Sequence, residues 1–203
     1  MERLLTTSHA YLTWRLAPAP AAPWAVAGAV APDAVAIVAG VTLAGRGHRG
    51  PELLRRVYQQ GAAARITTVM HSALAPSAVL SGHPGPRRFA FAVGWAGHLA
   101  IDYLSHHSDA WPPLFPLSGR RFASPVSYWQ SDHHARALSA VEAAGLAALA
   151  LTDGSRWRRA VGLLAAVIAA LPALFPRFFA AHEDALVEID RPAEDGDRPA
   201  IDP

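Results

Sequence analysis

The segment GHLAIDYLSHH, residues 97–107, sets three ligand-type side chains along one face of a predicted helix. His98, Asp102 and His106 follow one another at four-residue spacing, which stacks side chains on the same helical face. The neighbouring residues are apolar, and two imidazoles and a carboxylate are costly in an apolar helix unless they bind a ligand or an ion. The pattern predicts a metal ion held by nitrogen and oxygen atoms. The alternative is a stripe of polar groups that are only capped or solvated.

The aspartate of this stripe has two possible roles. A carboxylate between two imidazoles can bridge two cations, or it can orient one imidazole from behind. The spacing alone leaves both roles open for Asp102.

The composition restricts the class of protein. Of the 203 residues, 52% are apolar and only 17% are charged, which departs from an average soluble domain towards the apolar side. The absence of cysteine excludes disulfides, thiolate zinc sites and a cysteine nucleophile, while ten histidines are available as ligands. All 18 basic residues are arginine, the net charge is only +2 and no basic patch stands out. No specific nucleic-acid partner is therefore predicted.

Helical stretches dominate the sequence, and strand signals are poor because Val and Ile are scattered among alanines. We predict an all-α, single-domain helical bundle over residues 1–190, followed by an acidic, disordered tail over residues 191–203. Helices are expected over residues 4–15, 24–44, 51–64, 65–80, 87–107, 138–151 and 160–171. An interruption is expected at Pro32-Asp33 and a proline-rich loop over residues 109–127.

Three side chains outside the stripe are further candidate ligands. Asp33 precedes an apolar run, where a carboxylate is rare unless it is paired or coordinating; a helix-capping role is the alternative. His71 lies in a second apolar segment and is equally well explained by a core histidine with a hydrogen bond. His9, on the first predicted helix, is balanced between the same two explanations.

His133 and His134 precede the helix expected over residues 138–151, and Ser131 or Asp132 would serve as its cap. One of these two histidines is a candidate ligand, and His134 is the one we select. No Gly-x-Ser-x-Gly, phosphate-binding, dinucleotide or His-Glu-x-x-His motif occurs. The sequence therefore contains no competing catalytic signature.

The apolar stretches raise the question of a membrane. A transmembrane helix needs roughly 20 apolar residues, whereas 10–14 are more typical of a buried core helix. Residues 24–44 are long enough but contain Asp33, and residues 160–176 are apolar between Arg159 and Arg177. A membrane protein and a soluble, alanine-rich bundle are equally compatible with this pattern. The N-terminus has no signal-like apolar core, so no secretory signal is expected.

Six motifs follow one another in a fixed order: His9, Pro32-Asp33, His71-Ser72, the run from His98 to His106, Pro116-Leu117-Ser118 and Arg120-Arg121-Phe122. Their order resembles a family of predicted bacterial inner-membrane metal-dependent hydrolases, over roughly residues 9–134. It is also similar to the zinc-dependent phospholipase C and single-strand nuclease superfamily. Those enzymes are helical and hold zinc ions that cleave phosphoesters.

The resemblance implies a phospholipase C-like helical fold with membrane-embedded helices. It implies one or two ions, zinc or another divalent metal such as manganese, because the superfamily's late carboxylate is absent four residues after His133 and His134. Asp33 and Asp102 would bridge the ions or position the attacking water. The implied metal ligands are His9, Asp33, His71, His98, Asp102, His106 and His134.

We therefore predict a metal-dependent phosphoester hydrolase, acting on a phospholipid-like or phosphodiester substrate. Arg120 and Arg121 would hold the phosphate by forked hydrogen bonds, or else contact solvent or headgroups. The expected location is the inner (cytoplasmic) membrane, with the cytoplasm as the alternative. Two rival functions are a non-catalytic membrane-associated protein with a structural metal and a transporter with a buried ion path.

Overall fold

The structure, a computed structural model, describes residues 3–175 of the chain. Within this range the chain forms eight α-helices and no β-strand, which confirms the predicted all-α bundle. The predicted tail, residues 191–203, lies outside the described residues. The helices are α1 (Arg3–Leu16), α2 (Ala22–Gly45), α3 (Gly50–Tyr58), α4 (Gly61–Met70), α5 (Leu74–Leu80), α6 (Pro86–Ser105), α7 (Ala135–Leu151) and α8 (Arg156–Leu174).

Helix α2 runs through Pro32 without a break, so the predicted interruption at this position is wrong. The proline costs the hydrogen bond that an N–H would donate to the carbonyl of Gly28. Pro32 is buried, and its packing within the bundle offsets that loss. Asp33 is consequently a mid-helix residue and not a helix cap.

The region between α2 and α6 is divided more finely than the sequence pattern predicts. Residues 51–80 form the three helices α3, α4 and α5 in place of the two expected. Gly61, at φ +76°, separates α3 from α4 in a left-handed conformation that glycine adopts at little cost. The second break follows Met70, so the imidazole of His71 lies at the C-terminal end of α4.

Helices α2 and α6 lie side by side and run in the same direction. A Cβ atom on Gly28 would lie 1.8 Å from the carbonyl oxygen of Phe91, and one on Gly94 would lie 1.9 Å from that of Ala25. The two backbones therefore touch where only glycine fits. Further along the pair, this close approach places Asp33 opposite the histidine–aspartate face of α6.

Helix α1 connects this pair to the antiparallel α7–α8 hairpin. Tyr11 packs against Gly162 of α8, within a core of small apolar side chains. Arg15, at the end of α1, pairs with Asp153 in the turn between α7 and α8, with 3.6 Å between Nε and Oδ2. His9 projects instead towards α6. One short helix thus delivers an imidazole to the α2–α6 pair while it anchors the hairpin.

Within residues 3–175, two helices, α2 and α8, are long and apolar enough to cross a membrane. In each helix, only 28% of the most apolar 18-residue stretch is buried inside the bundle. Core helices of soluble proteins also pass this length test, although they are mostly buried. By length and composition, α2 and α8 are therefore candidate membrane spans.

Candidate metal centre

Six of the predicted site residues meet in one buried cluster. They come from α1, from α2, from the end of α4 and from α6 with the residue that follows it. None is more than 6% exposed. The members of this cluster are His9, Asp33, His71, His98, Asp102 and His106.

Asp102 lies at the centre of the cluster, and its two carboxylate oxygens face different imidazoles. Oδ2 lies 3.0 Å from Nε2 of His98 and 3.5 Å from Nε2 of His71. Oδ1 lies 3.5 Å from Nε2 of His9 and 3.7 Å from Nε2 of His106. The carboxylate therefore divides the four imidazoles into two pairs, one for each oxygen.

Asp33 adds a second carboxylate to one of these pairs. Its Oδ1 lies 3.4 Å from Nε2 of His71 and 3.6 Å from Nε2 of His98. Its Oδ2 accepts a hydrogen bond from the hydroxyl of Thr6 on α1. One oxygen of Asp33 is thus fixed by the fold, while the other faces the imidazoles.

Three of the four imidazoles form a hydrogen bond through Nδ1, on the side of the ring away from the carboxylates. The acceptors are the carbonyl of Ala29 for His98 (2.7 Å), the carbonyl of Thr67 for His71 (2.8 Å) and the carboxylate of Asp109 for His106 (2.6 Å). Because these oxygens only accept, Nδ1 carries the proton in each ring. In the neutral form of such a ring, the lone pair is on Nε2, the atom that faces the carboxylates. Metal-binding histidines have this outer arrangement of hydrogen bonds.

Two ring nitrogens of the cluster lack a well-aligned hydrogen bond among the residues that the structure describes. They are Nε2 of His98 and Nδ1 of His9, both buried. Burial, reinforced by the neighbouring His98, lowers the pKa of His9 to about 4. The His9 imidazole is therefore neutral at pH 7 and can offer a lone pair to a cation.

The cluster contains two overlapping groups that could hold a metal ion. One consists of His9, His98 and Asp102, and the other of Asp33, His71 and His98. In each group the ligand atoms lie within 4.8 Å of one another. The chemistry of the donors, nitrogen and oxygen without sulfur, suits a divalent ion such as zinc.

Two residues that contact histidines of the cluster were not predicted from the sequence. Asp109 orients His106, and Trp111 stacks on the ring of His71 with 4.5 Å between centroids. Burial alone would raise the pKa of Asp109, but attraction to His106 and the hydrogen bond from its Nδ1 lower the pKa below the usual value. The three-residue spacing from His106 to Asp109 was the signal available in the sequence. Nothing comparable marks Trp111.

Three predicted site residues are not brought to the cluster. His134 is exposed at the start of α7, with φ +66°. Its neighbour His133 is half-buried and stacks on His107, with 3.6 Å between ring centroids. Arg120 and Arg121 are exposed in the loop after α6. The structure thus separates these side chains from the buried centre.

Comparison with known proteins adds no relative. No family model, no curated protein and no solved structure matches the chain. The functional signal is therefore the buried cluster itself, together with the order of its motifs along the sequence.

Proposed function

We propose that this protein is a metal-dependent hydrolase that cleaves a phosphoester with a metal-activated water. One observation carries the proposal. Four imidazole Nε2 atoms converge on two buried carboxylates, and the Nδ1 atoms of three of these rings are hydrogen-bonded to oxygen acceptors. Two carboxylates and the imidazole Nε2 atoms that face them form a buried cluster of potential acceptors, and a shared cation would compensate its charge. Six such groups at this depth are costly without a compensating charge.

The division of imidazoles around Asp102 supports two ion positions. His71 and His98, with Asp33 and Oδ2 of Asp102, provide four donors for a closed position. His9 and His106, with Oδ1 of Asp102, provide three, which leaves room for a water ligand. Structural sites are typically closed and catalytic sites keep an open position. The His9–His106 side is accordingly the proposed catalytic side.

Each residue of the chain has a role in this scheme. When bound, a divalent ion would lower the pKa of a water ligand towards about 7 and polarise a phosphoryl oxygen. Asp102 would hold ions at both positions, and Asp33, whose Oδ2 accepts a hydrogen bond from the Thr6 hydroxyl, would hold the ion at the closed position. Asp109 keeps the His106 ring in the orientation that presents Nε2. Arg120 and Arg121 are exposed, and their contact with the phosphate stays a prediction.

The proposed substrate class is a small or lipid phosphoester. The order of motifs, which resembles the zinc-dependent phospholipase C superfamily, supports zinc and phosphoester chemistry. The two candidate membrane spans favour a lipid substrate and a location at the inner membrane, with the cytoplasm as the alternative. The rival is a non-catalytic membrane-associated protein whose metal is structural.

Elemental analysis of the purified protein tests whether the chain binds metal ions. We expect one or two divalent ions per chain in the wild type, and loss of them in His98→Ala and Asp102→Ala. His83→Ala, an exposed histidine in a glycine-containing loop, is the matched control and should retain the wild-type content. A wild type without metal would mean that protons on the imidazoles neutralise the carboxylates, and the proposal would fail.

Hydrolysis assays separate the two rival functions. Purified protein is tested on a soluble phosphodiester and on phospholipid in mixed micelles, with zinc or manganese and then with chelator. Metal-dependent turnover that Asp102→Ala lacks would support the hydrolase. A metal-loaded protein inactive on every substrate would favour the structural metal site.

A further inference from the structure

The outer surfaces of four helices are free of charge beyond their first turns. Past the first turn, α2, α6, α7 and α8 carry only four acidic, basic or histidine residues, and their side chains are directed inwards. Three are buried in the metal centre, and the fourth, on α7, has a buried carboxylate oxygen. These residues are Asp33, His98, Asp102 and Glu142.

The exposed positions between the helix ends are occupied by apolar residues. On α8, Leu164 is 60% exposed and Val167 is 59% exposed, and on α7 Val141 is 70% exposed. Val38 on α2 and Val93 on α6 continue the same kind of surface. We call the outward faces of α2, α6, α7 and α8 the apolar band. Large exposed apolar surfaces mark interaction sites.

One edge of the apolar band carries tryptophan and arginine. Helices α2, α6 and α8 all begin at the same end of the bundle, because α2 and α6 are parallel and the α7–α8 turn meets the end of α1. There the guanidinium of Arg87 lies 5.5 Å from the ring centre of Trp24, and that of Arg156 lies 5.8 Å from the ring centre of Trp157. Tryptophan and long basic side chains are enriched where a membrane meets water.

The height of the apolar band fits a lipid layer. From Phe89 to Leu104, the charge-free outer face of α6 rises about 23 Å at 1.5 Å per residue. A hydrocarbon core is about 30 Å thick, and arginine side chains at the edge can reach outwards to make up the difference. A soluble bundle would place charged residues on such faces.

We propose that the apolar band is the lipid-facing surface of the protein, with Trp24 and Trp157 at one membrane–water interface. Asp33 lies nine residues beyond Trp24 on α2, about 14 Å along the helix axis. The metal centre therefore lies at the height of the band, inside the bundle and beneath the interface. This assignment does not depend on whether the centre holds metal.

The absence of cysteine provides a clean background for a site-specific test. Four matched variants place one cysteine on each helix of the apolar band: Val38→Cys, Val93→Cys, Val141→Cys and Val167→Cys. Ser81→Cys and Ala123→Cys, in exposed loops, are the controls. Each full-length variant is spin-labelled and reconstituted into vesicles of phosphatidylethanolamine and phosphatidylglycerol. Collision with molecular oxygen, which partitions into lipid, is compared with collision with a water-soluble nickel chelate.

We expect the ratio of oxygen to nickel accessibility to be several-fold higher at the four band positions than at the two loop positions. Nickel accessibility equal to that of the loops would place the band in water and overturn the proposal. Low accessibility to both reagents would assign the band to contacts between copies of the chain, which also overturns it. Helical content by circular dichroism confirms that each variant is folded, and any band position that fails is replaced by its alanine neighbour on the same face.

Discussion

The α2–α6 pair and the α7–α8 hairpin are both built on close packing at glycine, but they bury opposite kinds of side chain. In the α2–α6 pair, Gly28 and Gly94 allow backbone to touch backbone, and the interior carries imidazoles and carboxylates. In the hairpin, Gly162 faces the ring of Tyr11 and the methyl group of Ala150, within an apolar cluster that includes Leu146 and Ala165. Apolar burial stabilises the hairpin by itself. The α2–α6 pair instead buries ionisable groups that could hold a metal ion.

The largest difference between the two regions is expected from Gly94→Ala. The added methyl group meets a backbone carbonyl that cannot move without separating α2 from α6, so we expect a loss of more than about 3 kcal/mol, above the usual range for overpacking. The cluster should lose its metal at the same time. Denaturant unfolding and metal content of the purified variant measure both effects.

Gly162→Ala is the matched control for that variant. Its methyl group meets the side chains of Tyr11, at 2.3 Å, and Ala150, at 2.7 Å, and not a backbone carbonyl, so a smaller cost of about 1–3 kcal/mol is expected. Metal content should stay at the wild-type value. If Gly162→Ala lost its metal as completely as Gly94→Ala, the two regions would not be separable.

Asp102→Asn should have the next largest effect, and it acts on the α2–α6 region alone. The substitution keeps the shape of the side chain but removes the charge that faces all four imidazoles. We expect metal affinity to fall by more than about 100-fold, beyond the range for outer hydrogen-bond partners. Asp33→Asn, which faces only two imidazoles, should retain part of the metal. Titration with zinc under chelator-buffered conditions compares the two, and equal losses would argue against the bridging role of Asp102.

Removal of metal should lower the stability of the α2–α6 region and leave that of the α7–α8 hairpin unchanged. At a metal concentration of 100 times the dissociation constant, binding stabilises the folded state by about 2.7 kcal/mol. Chelation should therefore speed amide hydrogen exchange in α2, α4 and α6 and leave α7 and α8 close to their original rates. Zinc should restore the slow exchange. Uniform acceleration over all helices would contradict a local role for the metal.

The smallest expected effect is that of Asp109→Asn. The amide cannot replace the carboxylate as an ionised acceptor for Nδ1 of His106, so metal affinity should fall about 10–100-fold. Asp132→Asn, on an exposed side chain next to the same loop, is the control and should bind like the wild type. His134→Ala should also bind like the wild type. An effect of His134→Ala equal to that of Asp109→Asn would reinstate His134 as a ligand.

The sequence predicted most of the cluster because its signals are local. Four-residue spacing fixes which side chains share a helical face, and apolar surroundings make an isolated carboxylate or imidazole conspicuous. These rules identified Asp102 with its flanking histidines, and they singled out Asp33 in an apolar run. They could not exclude His134 or Arg121, because exposure depends on how distant segments pack.

By itself, then, the sequence determined the all-α fold and the nitrogen and oxygen character of the centre. The tertiary structure decided which candidates meet, since the contact of α2 with α6 at Gly28 and Gly94 aligns positions nearly seventy residues apart. It also kept α2 continuous through Pro32, where local propensity alone predicts a break. The physical reason is that periodicity operates within one helix, whereas the meeting of ligands depends on packing between helices.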